Sequence, residues 1–460
     1  MKKKRSLLTR LSESISGFFS HFINGDGITK ASYVVMGLGC LLRKQLVRGF
    51  CYLLIQVLFI WYMLSTGINN IIGLKTLGVN AQGQVWDEVN QIYRYTKGDN
   101  SMLMLLFGVL AVFVVIGFLF IYAASVKNAY ENEQLLKVNK TPSDFNADVK
   151  RMFNEKFHVT ILTPPILMVF LFTLLPLVFM ILIAFTNFDK NHQPPGNLFT
   201  WVGLENFSAA LYNDPVKSHT FLSLFIWTLV WAVFATFLNY IFGMILAIMI
   251  NKKGIRLKKF WRTIFVTTIA VPQFVSLMLM SKLLHDQGAI NVLFKNLGWI
   301  EDFIPFLSDP FLAKVTVIVV NLWVGMPYTM LITSGILMNI PADLYESARI
   351  DGAGPVTQFL KITMPYMLFV TTPYLITQFI GNINNFNVIY LLSGGGPLSL
   401  NYFQAGNTDL LVTWLYKLTV NEQNYSMAST IGIIIFIICS FFTLVVFNKT
   451  SSAQKEEEFQ

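Results

Sequence analysis

Long apolar runs alternate with short polar segments along the whole chain. Eight runs, near 50–72, 102–124, 161–186, 220–249, 264–284, 315–338, 367–391 and 426–447, are each long enough to cross a bilayer core as a helix. The pattern predicts an all-α, polytopic membrane protein with about eight transmembrane helices. The third run contains Pro164, Pro165 and Pro176, and the seventh contains Pro373. Such kinks survive in membranes where neighbouring helices cover the freed backbone groups.

The polar segments set the orientation. With the N-terminus placed inside, segments 1–49, 125–160, 250–263, 339–366 and 448–460 hold 25 of the 34 Lys and Arg residues. Cytoplasmic loops carry that excess, so both termini are expected in the cytoplasm. The stretch "NKKGIRLKKFWR" alone has six bases. The +9 formal charge is thus a topology signal rather than a nucleic-acid footprint, which needs bases on one folded face. The basic start "MKKKRSLLTRLSESISGFF" lacks the uninterrupted apolar core of a signal peptide. It reads as a cytoplasmic arm whose bases set topology, with adsorption to anionic lipid the weaker alternative.

Only 13% of residues are charged, against about 25% in soluble domains. The longest outside segments, about 187–219 and 392–425, are too short for a core of their own. The expected layout is a basic arm at 1–49, two extra helices with their loop at 50–155, a six-helix core at 156–450 containing an inner loop at 341–365, and a tail at 451–460. Cys40, Cys51 and Cys439 form no CxxC pair, so neither a disulfide framework nor a metal site is suggested. No Gly-Lys dipeptide occurs, which removes the phosphate-cradling loop of an ATPase. If ATP drives this chain, another chain hydrolyses it.

One polar segment stands out, "YESARIDGAGPVTQFLKITMP" at 345–365. Pro341 suits the first position of a short helix running to about Ile350, with Asp343 favourable in its first turn. Gly352 and Gly354 tolerate positive φ in the "DGAGP" turn, and Pro355 suits the start of a second short helix. Pro365 then begins the climb into the seventh run. Small residues Ser347 and Ala348 would let another surface approach closely. Physics alone leaves a capped hairpin that merely joins two spans equally open.

Residues 346–365 resemble the EAA loop of binding-protein-dependent ABC importer permeases, whose pattern is EAA-x2-DGA-x5-F-x2-I-x-LP. Glu346, Ala348, Asp351, Gly352, Ala353, Phe359, Ile362 and Pro365 match, with Ser347 for the first alanine and Met364 for leucine. The resemblance implies a type I ABC importer permease fold and a coupling helix that docks in a cleft of the ATP-binding subunit. It places Glu346, Ser347, Ala348, Asp351, Gly352 and Ala353 at that contact.

The sixth and seventh runs carry polar stripes. Asn321, Gly325 and Tyr328 recur at helical spacing, as do Tyr374, Gln378, Asn382 and Asn385. Trp323 falls off its stripe on an ideal helix. Buried amides need partners, so these face other helices or a watery cavity. Helix–helix glue explains any single amide. Two stripes mixing amides with tyrosine suit a sugar better, since sugars offer hydroxyl edges and flat C–H faces. Embedded charges, the mark of ion pathways, are missing from these runs.

From about 155 to 450, "WVGLENF", "NLWVGMPYTMLITSGILMNIP", "NINNFNVIYLLSGGGP" and "AGNTDLL" resemble, in order, the longer permease subunit of the maltose/maltodextrin family. The resemblance implies a sugar site midway across the membrane lined by Asn321, Trp323, Gly325, Tyr328 and Asn382. Gln378 and Gly381 stand at neighbouring site positions but depart in residue type. The short loop between the third and fourth runs points to the Gram-positive type, in a bacterial cell membrane. Implied partners are a second permease subunit in a heterodimer, two ATP-binding cassette subunits, an extracellular solute-binding lipoprotein and an oligosaccharide substrate. No catalytic residue, metal or cofactor is expected on this chain, with ATP and Mg on the ATPase subunits. The competing readings are a permease for a different glycan, a secondary sugar transporter, or a channel.

Overall fold

The computed structural model describes residues 7–252 and 254–448; the 451–460 tail and the first six residues of the basic arm lie outside them. The described chain is mostly helical and forms two compact units, up to Trp201 and from Val202. Among the described residues, seven helices have the length and apolarity to cross a membrane, and one bent pair makes a possible eighth.

The first unit starts with α1 (Leu7–Asn24), α2 (Gly27–Ala31) and α3 (Leu38–Leu42), followed by the crossing helix α4 (Leu46–Thr76). Next come strands β1 (Gly83–Asp87) and β2 (Ile92–Thr96), the crossing helix α5 (Ser101–Lys137), α6 (Phe145–Phe153) and the crossing helix α7 (Phe157–Ile183). At 37 residues, α5 is about 55 Å long, well beyond the roughly 30 Å of a hydrocarbon core. Its C-terminal end is a docking post for the N-terminal segment. Glu133, buried on α5, accepts from the Asp26 N–H (2.9 Å), Thr29 Oγ1 (2.7 Å) and Lys137 Nζ (2.6 Å). Arg43 Nη2 lies 2.8 Å from both Asp26 carboxylate oxygens and is itself buried. The segment read as a topology-setting arm therefore contains a folded polar cluster, in which Arg43 is a structural cation.

The ribbon β1–β2 lies in the connection between the first two crossing helices. Its pairing sets Gln84 opposite Tyr95 and Trp86 opposite Tyr93. The turn is closed by Asp87, whose carboxylate accepts from the N–H groups of Val89 and Asn90.

The second unit holds the crossing helix α8 (Pro215–Asn251), the bent pair α9 (Lys258–Ala270) and α10 (Gln273–Leu283), and the crossing helix α11 (Pro310–Leu337). It continues with α12 (Ala342–Ile350), crossing helix α13 (Pro355–Ile383), α14 (Phe386–Leu392), α15 (Leu411–Val420) and crossing helix α16 (Tyr425–Asn448). The fifth apolar run is thus not one straight helix: it bends by 90° between α9 and α10. Pro272 explains the break, because it lacks an N–H and forces the preceding residue out of the helical region. Val271 accordingly sits at φ −77°, ψ 126°. The helix of the seventh apolar run, α13, ends at Ile383 rather than near 391, and Asn385 caps α14 by accepting from the Val388 N–H.

The loop from Ser393 to Asp409 is pinned by a buried ion pair. Lys417 Nζ on α15 lies 2.6 Å from Asp409 Oδ2, which also accepts from the Gly406 N–H. Burial pushes the Asp409 carboxyl up, against the pull of Lys417. Removing one partner strands the other charge, at a cost of about 3–5 kcal/mol. Lys417→Met should therefore lower the melting temperature of the purified protein markedly, and Lys417→Met with Asp409→Asn should recover part of the loss. A single variant that melts like the wild type would remove the pair from the stability of this loop.

Candidate translocation cavity and coupling segment

Polar side chains of α8, α10, α11 and α13 meet around a cavity of about 160 Å³. From α11 it takes Asn321, Gly325 and Tyr328, the stripe expected from helical spacing. From α13 it takes Tyr374, Gln378 and Asn382, with Asn385 just beyond the helix end. Trp323 lies off this face, as its spacing required, and lines a neighbouring cavity of about 300 Å³ with Thr268, Gln273 and Ser276. Gly325 and Tyr328 border both spaces. Gly381 is exposed and borders neither.

Five polar residues that the sequence reading did not single out belong here: Thr236, Asn239 and Tyr240 on α8, Gln273 at the start of α10, and Thr329 on α11. The signal was available in "FATFLNYIFG", where Thr236, Asn239 and Tyr240 share one helical face. All charged side chains are absent from the residues lining this cavity.

The amides divide into two kinds. Asn382 is committed to the packing of helices: its Nδ2 donates to Thr236 Oγ1 (3.0 Å), its Oδ1 accepts from Asn385 (3.2 Å), and its carbonyl accepts from Trp231 Nε1 (3.1 Å). Here the helix-glue alternative accounts for the residue. Asn321 is 5% exposed, yet its Nδ2 has no partner, and neither has Asn239 Oδ1. A buried polar group without a partner costs about 1–3 kcal/mol. Two in one cavity are an exception to the rule that buried polar groups are paired.

Between α11 and α13, Pro341 is the N-cap of α12 instead of its first helical residue, because its ψ of 131° is extended. Asp343 falls in the first turn. The helix ends in a Schellman motif: the Gly352 N–H bonds the Arg349 carbonyl (3.1 Å) and the Ala353 N–H bonds the Ala348 carbonyl (2.8 Å). That motif needs a left-handed residue, and Gly352 supplies it at φ +79°. Gly354 instead has φ −71°, ψ 167° and caps the next helix, with Pro355 at its first position. That next helix is α13 itself. It passes through a widened turn at Phe359–Thr363 and continues to Ile383, so the climb begins at Pro355 and not at Pro365. The wide turn directly before Pro365 takes up its ring and its missing N–H.

Tyr345 Oη and Thr363 Oγ1, 2.8 Å apart, tie α12 to the foot of α13. Glu346, Ser347, Asp351 and Gly352 are exposed, while Ala348 and Ala353 are half-buried. Ile350 and Val356 beside them are apolar and 87% and 71% exposed.

Residues 239–450 match the family described as binding-protein-dependent transport system inner membrane component. The chain is 33% identical to the galactooligosaccharides transport system permease protein GanP of Bacillus subtilis (strain 168), over 92% of this chain and 97% of GanP. It is also 33% identical to the maltodextrin transport system permease protein MdxF of the same organism, over 92% and 95% of the two chains. The maltose/maltodextrin transport system permease protein MalF of Escherichia coli (strain K12) is 34% identical over 56% of this chain and 51% of MalF. A solved bacterial ABC transporter involved in the import of the acidic polysaccharide alginate shares the fold. Its TM-score is 0.50 at 21% identity, covering 66% of this chain and 99% of that one.

In the second unit, crossing helices that enclose an uncharged polar cavity, with a capped helix-turn between two of them, are the architecture of the membrane subunit of a solute transporter. More specifically, the chain belongs to the binding-protein-dependent ABC importer permeases, the inner membrane components of such systems. In this family ATP hydrolysis is done by separate subunits, so the chain is a permease and not an enzyme. Membership removes the secondary-transporter and channel readings.

Proposed function

We propose that this permease carries neutral oligosaccharides, malto-oligosaccharides or a related glycan such as a galacto-oligosaccharide, and that the cavity on α8, α10, α11 and α13 is the sugar site. The observation that carries the reading is a lining of amides, threonines and tyrosines without a single charge. An acidic glycan would leave its carboxylates unpaired there, at a cost of several kcal/mol each. Relatives whose names specify maltodextrin and galactooligosaccharides support the same class.

The working assembly in this reading is a heterodimer with a second permease subunit, two ATP-binding cassette subunits holding ATP and Mg, and an extracellular solute-binding lipoprotein. The loaded lipoprotein docks outside, ATP closes the cassette dimer inside, and α12 transmits that closure to α13 through its cap and the Tyr345–Thr363 contact. The cavity then opens to each side in turn. Glu346, Ser347, Ala348, Asp351, Gly352 and Ala353 form the contact with the cassette in this scheme.

The test is ATPase stimulation and uptake in proteoliposomes across binding proteins loaded with malto-oligosaccharides, galacto-oligosaccharides or uronides. Stimulation by the uronides alone would overturn the neutral-sugar reading. Tyr328 is 52% exposed beside the cavity, the posture of a ring that stacks on a sugar. Such stacking contributes about 0.5–1.5 kcal/mol. Tyr328→Ala should therefore lower uptake roughly twofold to tenfold, Tyr328→Phe should retain most of it, and co-purification with the other subunits should be unchanged. Equal losses in the two variants would argue against stacking.

A further inference from the structure

We propose that Asn239 on α8 is the acceptor that reads one hydroxyl of the transported sugar, and that Gly325 on α11 keeps the space this requires. The inference rests on the cavity being the sugar site and adds a specificity-determining residue on a helix outside the two polar stripes.

The orientation of the Asn239 amide follows from its own helix. Its Nδ2 donates to the Ala235 carbonyl at 2.7 Å. Turning the amide over would set two carbonyl oxygens against each other, so the oxygen is the atom left for another partner. That oxygen is buried and has none, and the residue lines the cavity. One turn earlier on α8, Thr236 is already occupied by Asn382, so Asn239 is the free acceptor of this face.

The matching donor stands on α11, where Asn321 Nδ2 lines the same cavity, equally buried and unpartnered. A hydroxyl can accept from Asn321 and donate to Asn239 at once. An ammonium cannot accept and a carboxylate cannot donate, so the pair selects a neutral hydroxylated solute. The space of about 160 Å³ holds roughly five waters, or the edge of one sugar ring that displaces them.

Gly325 explains how the acceptor sits so close to α11. A Cβ there would lie 2.6 Å from Asn239 Nδ2 and 2.9 Å from its Oδ1. Glycine alone lets the amide rest against the neighbouring backbone while its oxygen stays turned to the cavity.

The test compares the wild-type and Asn239→Leu transporters, as complete complexes in proteoliposomes, on maltotriose and on its series of monodeoxy analogues. Both use the same binding protein, so that protein's own preference cancels in the ratio of wild-type to variant uptake. The ratio should be roughly tenfold to a hundredfold for maltotriose, the worth of one buried hydrogen bond. It should fall to about one for the single analogue that lacks the hydroxyl read by Asn239. A ratio equally large for every analogue means that Asn239 only holds the helices, and overturns the proposal while leaving the sugar site intact. So does a ratio near one for maltotriose itself. A wild type that takes up galacto-oligosaccharides but no maltotriose moves the comparison to that series, with the same expected and overturning ratios. A wild type that takes up no neutral oligosaccharide overturns the sugar site and this assignment together.

Discussion

Gly352→Asp is expected to abolish ATP-driven uptake while leaving the subunit folded and inserted. Gly352 has φ +79°, the left-handed position of the cap that ends α12. A side chain there costs about 1–2 kcal/mol, with Asp among the residues that tolerate it best, so the cap should survive. Beyond its own chain neighbours, no atom lies within 4 Å of where its Cβ would stand, so no packed side chain of the subunit is displaced. The damage falls outside. The new carboxylate joins exposed Glu346 and Asp351 on the face proposed to enter the cassette cleft. Burying it there unpaired costs several kcal/mol, enough to weaken engagement roughly 100-fold or more. Proteoliposomes should show uptake lost, with ATP hydrolysis no longer stimulated by loaded binding protein, and Gly352→Ala should be much milder. Normal transport by Gly352→Asp would remove α12 from the coupling contact.

The parts of this molecule legible in its sequence are those governed by local periodicity. Run length locates the crossing helices, and a period of 3.6 brings Asn321, Gly325 and Tyr328 to one cavity while excluding Trp323. The Schellman cap was readable because only glycine satisfies its geometry cheaply. What escaped depends on partners distant in sequence. Whether an amide binds a solute or a neighbouring helix is decided by what stands opposite, and Thr236 opposite Asn382 lies 146 residues away. Asn239 escaped for the same reason, since a lone amide in an apolar run is glue by default. Arg43 was counted as one more cytoplasmic base, because its partner Asp26 and the post on α5 meet it only in the fold. The bend at Pro272 was hidden by unbroken hydropathy, which measures apolarity and is blind to a missing N–H.

Gly325→Val should reduce uptake at least roughly tenfold, and a second substitution should repair its stability without repairing its transport. Valine adds three carbons where the first already overlaps the Asn239 amide. Two costs follow: overpacking, about 1–3 kcal/mol, and loss of the Asn239–Ala235 bond as the amide is driven aside, about 1–3 kcal/mol. The better helix propensity of valine over glycine returns only a few tenths of a kcal/mol, so the net sign is destabilising. Asn239→Ala in the same chain removes three side-chain heavy atoms next to the three that were added, so the local volume is nearly conserved. The double variant should melt close to the wild type, as thermal unfolding of the purified complex would show. Its uptake should stay low, because the acceptor at 239 is gone whichever residue fills the space. If the double variant regained transport along with stability, the amide would be packing material, and the discrimination of hydroxyls would have to reside in Asn321 and the tyrosines. If Gly325→Val alone transported and melted normally, the close approach of α8 to α11 at this level would have no part in building the cavity.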